Sequence, residues 1–235
     1  MKQMASRSFC TSEHTSTHID APYHFNKNGR KLHEIPFEDL LNVPGVMIDI
    51  FDKVNKIRDG KLVVRQNYVV TRQDIMEWEA KNGKIPHGAV VLLYTGWGMR
   101  WGDNNAYLGI AENATVDINE FPPTYTNYPG YDLSAAKFLA EERQIRGAGI
   151  DTISIDPGNT KEFWAHRIFT SRNIYMLEMV ANLHVLPPRG FSLYMLPFKI
   201  DGGTAAPTRV IAKLPCKGRK GLPVNDNESV HEEEL

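Results

Sequence analysis

His14-Thr15-Ser16-Thr17-His18-Ile19-Asp20-Ala21-Pro22-Tyr23-His24 is the stretch on which the reading of this chain turns. His14, His18, Asp20 and His24 are evenly spaced, so an extended backbone points all four to one side. A helix would also align His14 with His18. However, Thr15-Ser16-Thr17 is a poor helix former, and Pro22 holds Ala21 out of the helical region. A straight strand rising about 3.3 Å per residue would leave His14 and His18 about 13 Å apart. That is the outer limit for two imidazoles sharing an ion at bonds of about 2.0–2.1 Å, so the segment is expected to bend near Ser16. Two histidines and an aspartate within seven residues suit a borderline divalent ion such as zinc or manganese. The same residues also fit a polar loop with exposed histidines.

The rest of the 235-residue chain narrows the class. Lys and Arg number 27 against 28 Asp and Glu, so no net charge draws the protein to nucleic acid or to an anionic membrane. No apolar run approaches the roughly 20 residues of a membrane span. Cys10 and Cys216 lie near opposite ends, which excludes a disulfide scaffold and a cysteine-rich zinc module. Any metal must therefore be held by histidines and carboxylates. No apolar signal region follows Met1, so a cytoplasmic location is expected, with secretion or the endoplasmic reticulum open to a form longer at its N-terminus. The end His231-Glu232-Glu233-Glu234-Leu235 reads as a solvated acidic tail, because Glu232 stands where a retention signal carries a basic residue.

Periodicity gives an α/β chain with mixed strand order and one core. Strands are expected over 43–50, 62–70, 89–94, 147–155, 174–180, 192–200 and 209–214. Helices are expected over 71–80, capped by Thr71 with Ile75, Met76 and Trp78 inward, and over 134–143 and 161–169. Residues 102–131, rich in Asn, Pro, Tyr and Gly, read as a long surface excursion, and long loops in compact domains are often functional. Residues 1–215 form the expected domain, and 216–235 a disordered charged tail.

A second pair of residues stands out. Glu178 interrupts the apolar run Ile174-Tyr175-Met176-Leu177, and a carboxylate in a buried strand is costly unless paired or metal-bound. His166 falls on the third expected helix, where a core or surface histidine is the plainer reading.

These residues resemble the HxGTHxDxPxH signature of the cyclase family, metal-dependent hydrolases that include bacterial-type kynurenine formamidase and isatin hydrolase. The resemblance continues through Tyr94-Thr95-Gly96-Trp97-Gly98, Gly149-Ile150-Asp151-Thr152, Asp156-Pro157-Gly158 and the distal His166 and Glu178. It implies a swivelling β/β/α domain, mixed sheets with a few helices, and one or two Zn2+ or Mn2+ ions. His14, His18, Asp20, His166 and Glu178 match its metal ligands, and His24 its general acid/base. The implied reaction is hydrolysis of an amide C–N bond beside an aromatic ring. The substrate would be N-formylkynurenine, giving kynurenine and formate, or alternatively isatin, opened as a cyclic amide. A catalytically inactive binding protein is the rival. Trp97, Trp101, Phe121 and Tyr125 could stack on such a ring, although core packing or loop anchoring is the plainer reading of any single one. A small aromatic amide is the expected partner, with assembly as a homodimer or higher homo-oligomer.

Two departures from the family pattern carry expectations. Ser16 replaces the signature glycine, which implies strain of order 1 kcal/mol if the position needs φ > 0. Only 13 residues precede His14, where the family carries a strand and loop. A shortened N-terminus with an unpaired sheet edge, lower stability and weak activity is therefore expected.

Overall fold

The computed structural model describes residues 4–59, 61–110 and 126–215. In chain order the strands are β1 (His18–Asp20), β2 (Val43–Asp49), β3 (Asn55–Arg58), β4 (Lys61–Val64), β5 (Val69–Val70) and β6 (Val90–Tyr94). They continue with β7 (Gly130–Tyr131), β8 (Gly147–Ile150), β9 (Tyr175–Glu178), β10 (Arg189–Pro197) and β11 (Ala205–Lys213). The helices are α1 (Phe51–Val54), α2 (Arg72–Asn82), α3 (Asn104–Leu108), α4 (Leu133–Lys137), extended by a π-helical stretch over Phe138–Arg143, and α5 (Trp164–Ser171).

Seven strands close a barrel in the order β1-β11-β10-β2-β6-β8-β9. Strands β2, β6, β8 and β9 run parallel, and the remaining pairings are antiparallel. Alternation along each strand sends side chains to opposite faces. Val90, Leu92, Leu177, Leu193 and Met195 belong to one core made of strand and loop residues. Val91, Leu93, Ile150 and Met176 belong to the other, with Ile75 and Trp78 from α2, Phe138 and Leu139 from the π-helical extension of α4, and Phe169 from α5. The mixed α/β reading therefore holds, with the sheet closed on itself.

Helix α2 starts as its cap dictates: Thr71 Oγ1 accepts from Asp74 N, and Gly83 follows the helix at φ 85. Ile75 and Trp78 are buried, but Met76 is 44% exposed, because three- and four-residue spacing leaves the intervening position facing out. Other expectations need correction. The run 62–70 is not one strand: β3, absent from the sequence reading, pairs with β4 as a hairpin turning at Asp59, φ 50, and β5 pairs with β7. The strand expected over 147–155 stops at Ile150, because Asp151 turns its carboxylate to the Thr95 amide and hydroxyl. The segment 102–131 contains α3 and β7, while its residues 111–125, like the tail 216–235, lie outside the described residues. β1 is paired on both sides, with β11 and with β9. No helix of the described residues is long and apolar enough to cross a membrane.

Candidate metal centre

The register of β1 against β9 assembles the core of the site. His18 lies directly opposite Glu178, and Asp20 lies two residues on, on the same face. Ile19 and Leu177 point the other way, into the strand-and-loop core. Ahead of β1 the chain turns at Ser16, whose φ of 54 is the left-handed bend expected from the spacing. The bend brings the His14 ring to 5.2 Å from that of His18, centre to centre. A 3-10 turn over Pro22–His24 returns His24 to within 4.2 Å of the His14 ring. α5 supplies His166.

The structure brings the five expected ligands, and His24, together. Asp20 Oδ1 lies 2.9 Å from His14 Nδ1 and 3.1 Å from His18 Nε2. Asp20 Oδ2 is 3.5 Å from His166 Nε2. Glu178 places Oε2 3.4 Å from His18 Nε2 and Oε1 3.4 Å from His166 Nε2. Two groups with metal-ligand spacing share Asp20: His18, Asp20 and Glu178, all buried, and His14, Asp20 and His24, nearer the surface.

The outer partners of the imidazoles decide what they present to the centre. His18 Nδ1 sits 2.8 Å from the Ser16 carbonyl, which can only accept, so Nδ1 carries the proton and Nε2 turns a lone pair inward. His166 Nδ1 lies 2.6 Å from Asp156 Oδ2, which leaves its Nε2 in the same condition. Thr204 donates its hydroxyl to Glu13 and so accepts from His14 Nε2, at 3.2 Å, turning His14 Nδ1 inward. Three lone pairs thus face two buried carboxylates, and His18 Nε2 and both Asp20 oxygens find no hydrogen-bond partner. Orphaned buried acceptors are expensive, and a set made only of acceptors is satisfied by a cation. The residues therefore fit a divalent ion bound by nitrogen and oxygen.

Without an ion, protons take the place of that cation on two of the rings. Burial opposes charge on His18, yet Asp20 and Glu178 raise its pKa to about 10. Burial likewise opposes charge on His166, which Asp156 and Asp20 push up to about 10. Burial would raise Asp20, but the imidazoles of His14, His166 and His18 around it hold it well below the usual carboxylate range. His24 is the exception: burial, helped by the neighbouring histidines, pushes it down to about 4 despite Asp20. At neutral pH His24 is an uncharged imidazole.

Not every expected residue belongs here. Trp97 is 0% exposed, its indole N–H bound 2.6 Å from the Tyr107 carbonyl and one ring face covered by Arg100. Buried on every side, it has no face free for a substrate. Trp101 is 61% exposed, edge-on to Tyr107. Phe121 and Tyr125 lie outside the described residues. Sequence reasoning gave no role to Asp156, which is buried and accepts from Ala165 N, His166 N and His166 Nδ1. It caps α5 and orients its histidine at once. The close approach of Gly130, where a Cβ would lie 2.3 Å from Pro157 N, sets that loop. Asp156-Pro157-Gly158, a turn ten residues before His166, was the available signal.

A mixed α/β barrel carrying a buried cluster of histidines and carboxylates suited to a divalent ion defines the structural class. Residues 2–157 match the Cyclase family model. The chain is 32% identical over 208 residues to an isatin hydrolase of Roseibium aggregatum, covering 86% of this chain and 72% of that protein. It is 27% identical over 202 residues to a kynurenine formamidase of Bacillus thuringiensis subsp. konkukian, covering 86% and 77%. Isatin hydrolase A from Ralstonia solanacearum superposes with a TM-score of 0.76 at 32% identity, over 88% of this chain and 74% of that one. The protein belongs to the Cyclase family and is a hydrolase of its metal-dependent group.

Proposed function

We propose that the protein hydrolyses an amide C–N bond next to an aromatic ring, with His14, His18, Asp20, His166 and Glu178 holding one or two divalent ions. The observation that carries this reading is the set of three imidazole lone pairs aimed at two buried carboxylates. Bound there, zinc or manganese supplies Lewis acidity, lowering the pKa of water toward 7 and polarising a carbonyl. His24, held neutral, takes a proton from the attacking water on a ring nitrogen and returns it to the departing amide nitrogen as the C–N bond breaks. Asp156, Ser16 and the Glu13–Thr204 pair keep the ligand histidines in the tautomers that face the ion. Of the two substrates weighed from sequence, opening of isatin to isatinate is favoured over cleavage of N-formylkynurenine. The support is the higher identity to isatin hydrolase, 32% against 27%.

The test is turnover of both compounds by protein loaded with manganese or zinc, before and after chelation. Hydrolysis of isatin that a chelator abolishes is expected. A folded, metal-loaded protein that hydrolyses neither compound contradicts the proposal and favours a binding protein.

A further inference from the structure

Two phenylalanines beside the cluster take no part in holding it. Phe25 directly follows His24, and its ring centre lies 4.8 Å from that of His24 and 4.4 Å from that of His166. Phe163 directly precedes α5, its ring 5.6 Å from Phe25 and 6.0 Å from His166. Phe25 is 39% exposed and Phe163 half-buried, so the pair presents ring surface next to a polar centre.

The backbone at Phe163 is the telling feature. It sits at φ 52, ψ 49, the left-handed region in which a bulky side chain is an outlier. Nothing in the start of α5 requires a phenylalanine there: the residue makes no side-chain capping bond, and Asp156 supplies the cap instead. Among the described non-glycine residues with positive φ, Phe163 is the only aromatic: asparagine, which takes this conformation readily, stands at 42, 173 and 182, and serine, aspartate, glutamine and methionine at 16, 59, 144 and 179. Backbone conformation alone favours asparagine or glycine at 163. A strained aromatic residue held beside a reaction centre points to a role for its ring.

We propose that Phe25 and Phe163 form the subsite that receives the planar ring of the substrate and so determine specificity for aryl over alkyl compounds. The proposal rests on the reading of the cluster as an aryl amide hydrolase centre. Two rings inclined at 44° to one another offer a third ring the tilted and edge contacts that aromatic groups prefer. His24, in contact with Phe25, would then stand next to the bond to be cut.

The experiment compares benzoate with cyclohexanecarboxylate, which share a carboxylate and a six-membered ring and differ in aromaticity. Each is titrated by calorimetry into metal-loaded wild type, Phe163→Asn and Phe25→Leu. Wild type is expected to prefer benzoate by about five-fold, the scale of an aromatic pair, and Phe163→Asn to lose that preference. Phe163→Asn should melt at or above wild type, because asparagine relieves the left-handed strain. Phe25→Leu, which keeps apolar bulk without the ring face, should also reduce the preference. Equal affinity for the two acids in wild type, binding of neither, or a preference that survives both substitutions overturns the subsite. A benzoate preference that depends on both rings, in a protein that turns over neither isatin nor N-formylkynurenine, would leave the subsite standing and remove the hydrolase reading.

Discussion

Ser16 sits at φ 54 where its backbone carbonyl must meet His18 Nδ1, so the bend that gathers the ligands is made by a residue with a Cβ in the left-handed region. Glycine takes that conformation without strain, and Ser16→Gly is expected to stabilise the protein by about 1 kcal/mol. At this chain length that is a rise in Tm of about 2–4 °C, with metal content unchanged. A lower Tm would mean that the serine side chain contributes more than the strain costs. His24 differs from its neighbours in being neutral, and His24→Ala is expected to lower kcat by about 10²–10⁴ while the protein keeps its metal. Elemental analysis alongside kinetics separates the roles: a site emptied by the substitution makes His24 a ligand with His14 and Asp20. At this scale the cluster was legible in the sequence, because evenly spaced histidines with an aspartate, and a carboxylate in an apolar strand, are local signals. Phe25 and Phe163 were not, because their meaning depends on a backbone angle and on rings distant in sequence. Trp97 misled for the converse reason, since a tryptophan in a tight loop looks the same in sequence whether it lines a pocket or a core.

Helix α5 delivers His166, and its beginning is held from outside by Asp156. Asp156→Ala removes the acceptor of two backbone amides and the partner of His166 Nδ1. A loss of about 2–4 kcal/mol in stability is expected from those buried bonds, with metal affinity weakened about 10–100-fold as the imidazole loses its orientation. Asp156→Asn, which keeps an acceptor for the helix amides, should recover part of the stability and less of the affinity. Paired melting and metal titrations test this, and an unchanged affinity in Asp156→Ala would refute the orienting role. The elements themselves were largely legible. α2 followed from Thr71, Asp74 and Gly83, and β6 from a continuous apolar run. The hairpin of β3 and β4 was missed because its pairing is read from partners across a turn. β8 and β9 ended earlier than hydrophobicity suggested because Asp151 turns its carboxylate to Thr95 and Met179, at φ 56, takes a left-handed bend out of the ladder.

In the whole molecule, β1 joins the antiparallel strands to the parallel ones, and the cluster sits on that closure, so an ion bound there would be coupled to barrel stability. His18 and His166 are each raised to about 10 by the carboxylates around them, against an unfolded value near 6.5. With no ion bound, protons on these rings offset the carboxylates. That stabilisation is fully present below about pH 6.5 and is lost as pH rises through about 10. The melting temperature of chelator-treated protein is therefore expected to fall across this range. Metal-loaded protein should show no such fall, since bound ions require the deprotonated rings. A flat profile without metal would show that the cluster is not electron-rich in the folded state. The closed barrel was not legible, because closure depends on the pairing of β1 with β9, more than 150 residues apart in the chain. The central claim is that five side chains from β1, the turn before it, α5 and β9 form a divalent-metal centre. Anomalous diffraction from manganese-soaked crystals tests it most directly. The expected result is one or two peaks with Asp20 shared or central, within about 2.0–2.3 Å of the inward nitrogens of His14, His18 and His166 and of the Asp20 and Glu178 oxygens. Peaks only elsewhere, or none among these side chains at saturating manganese, would contradict it.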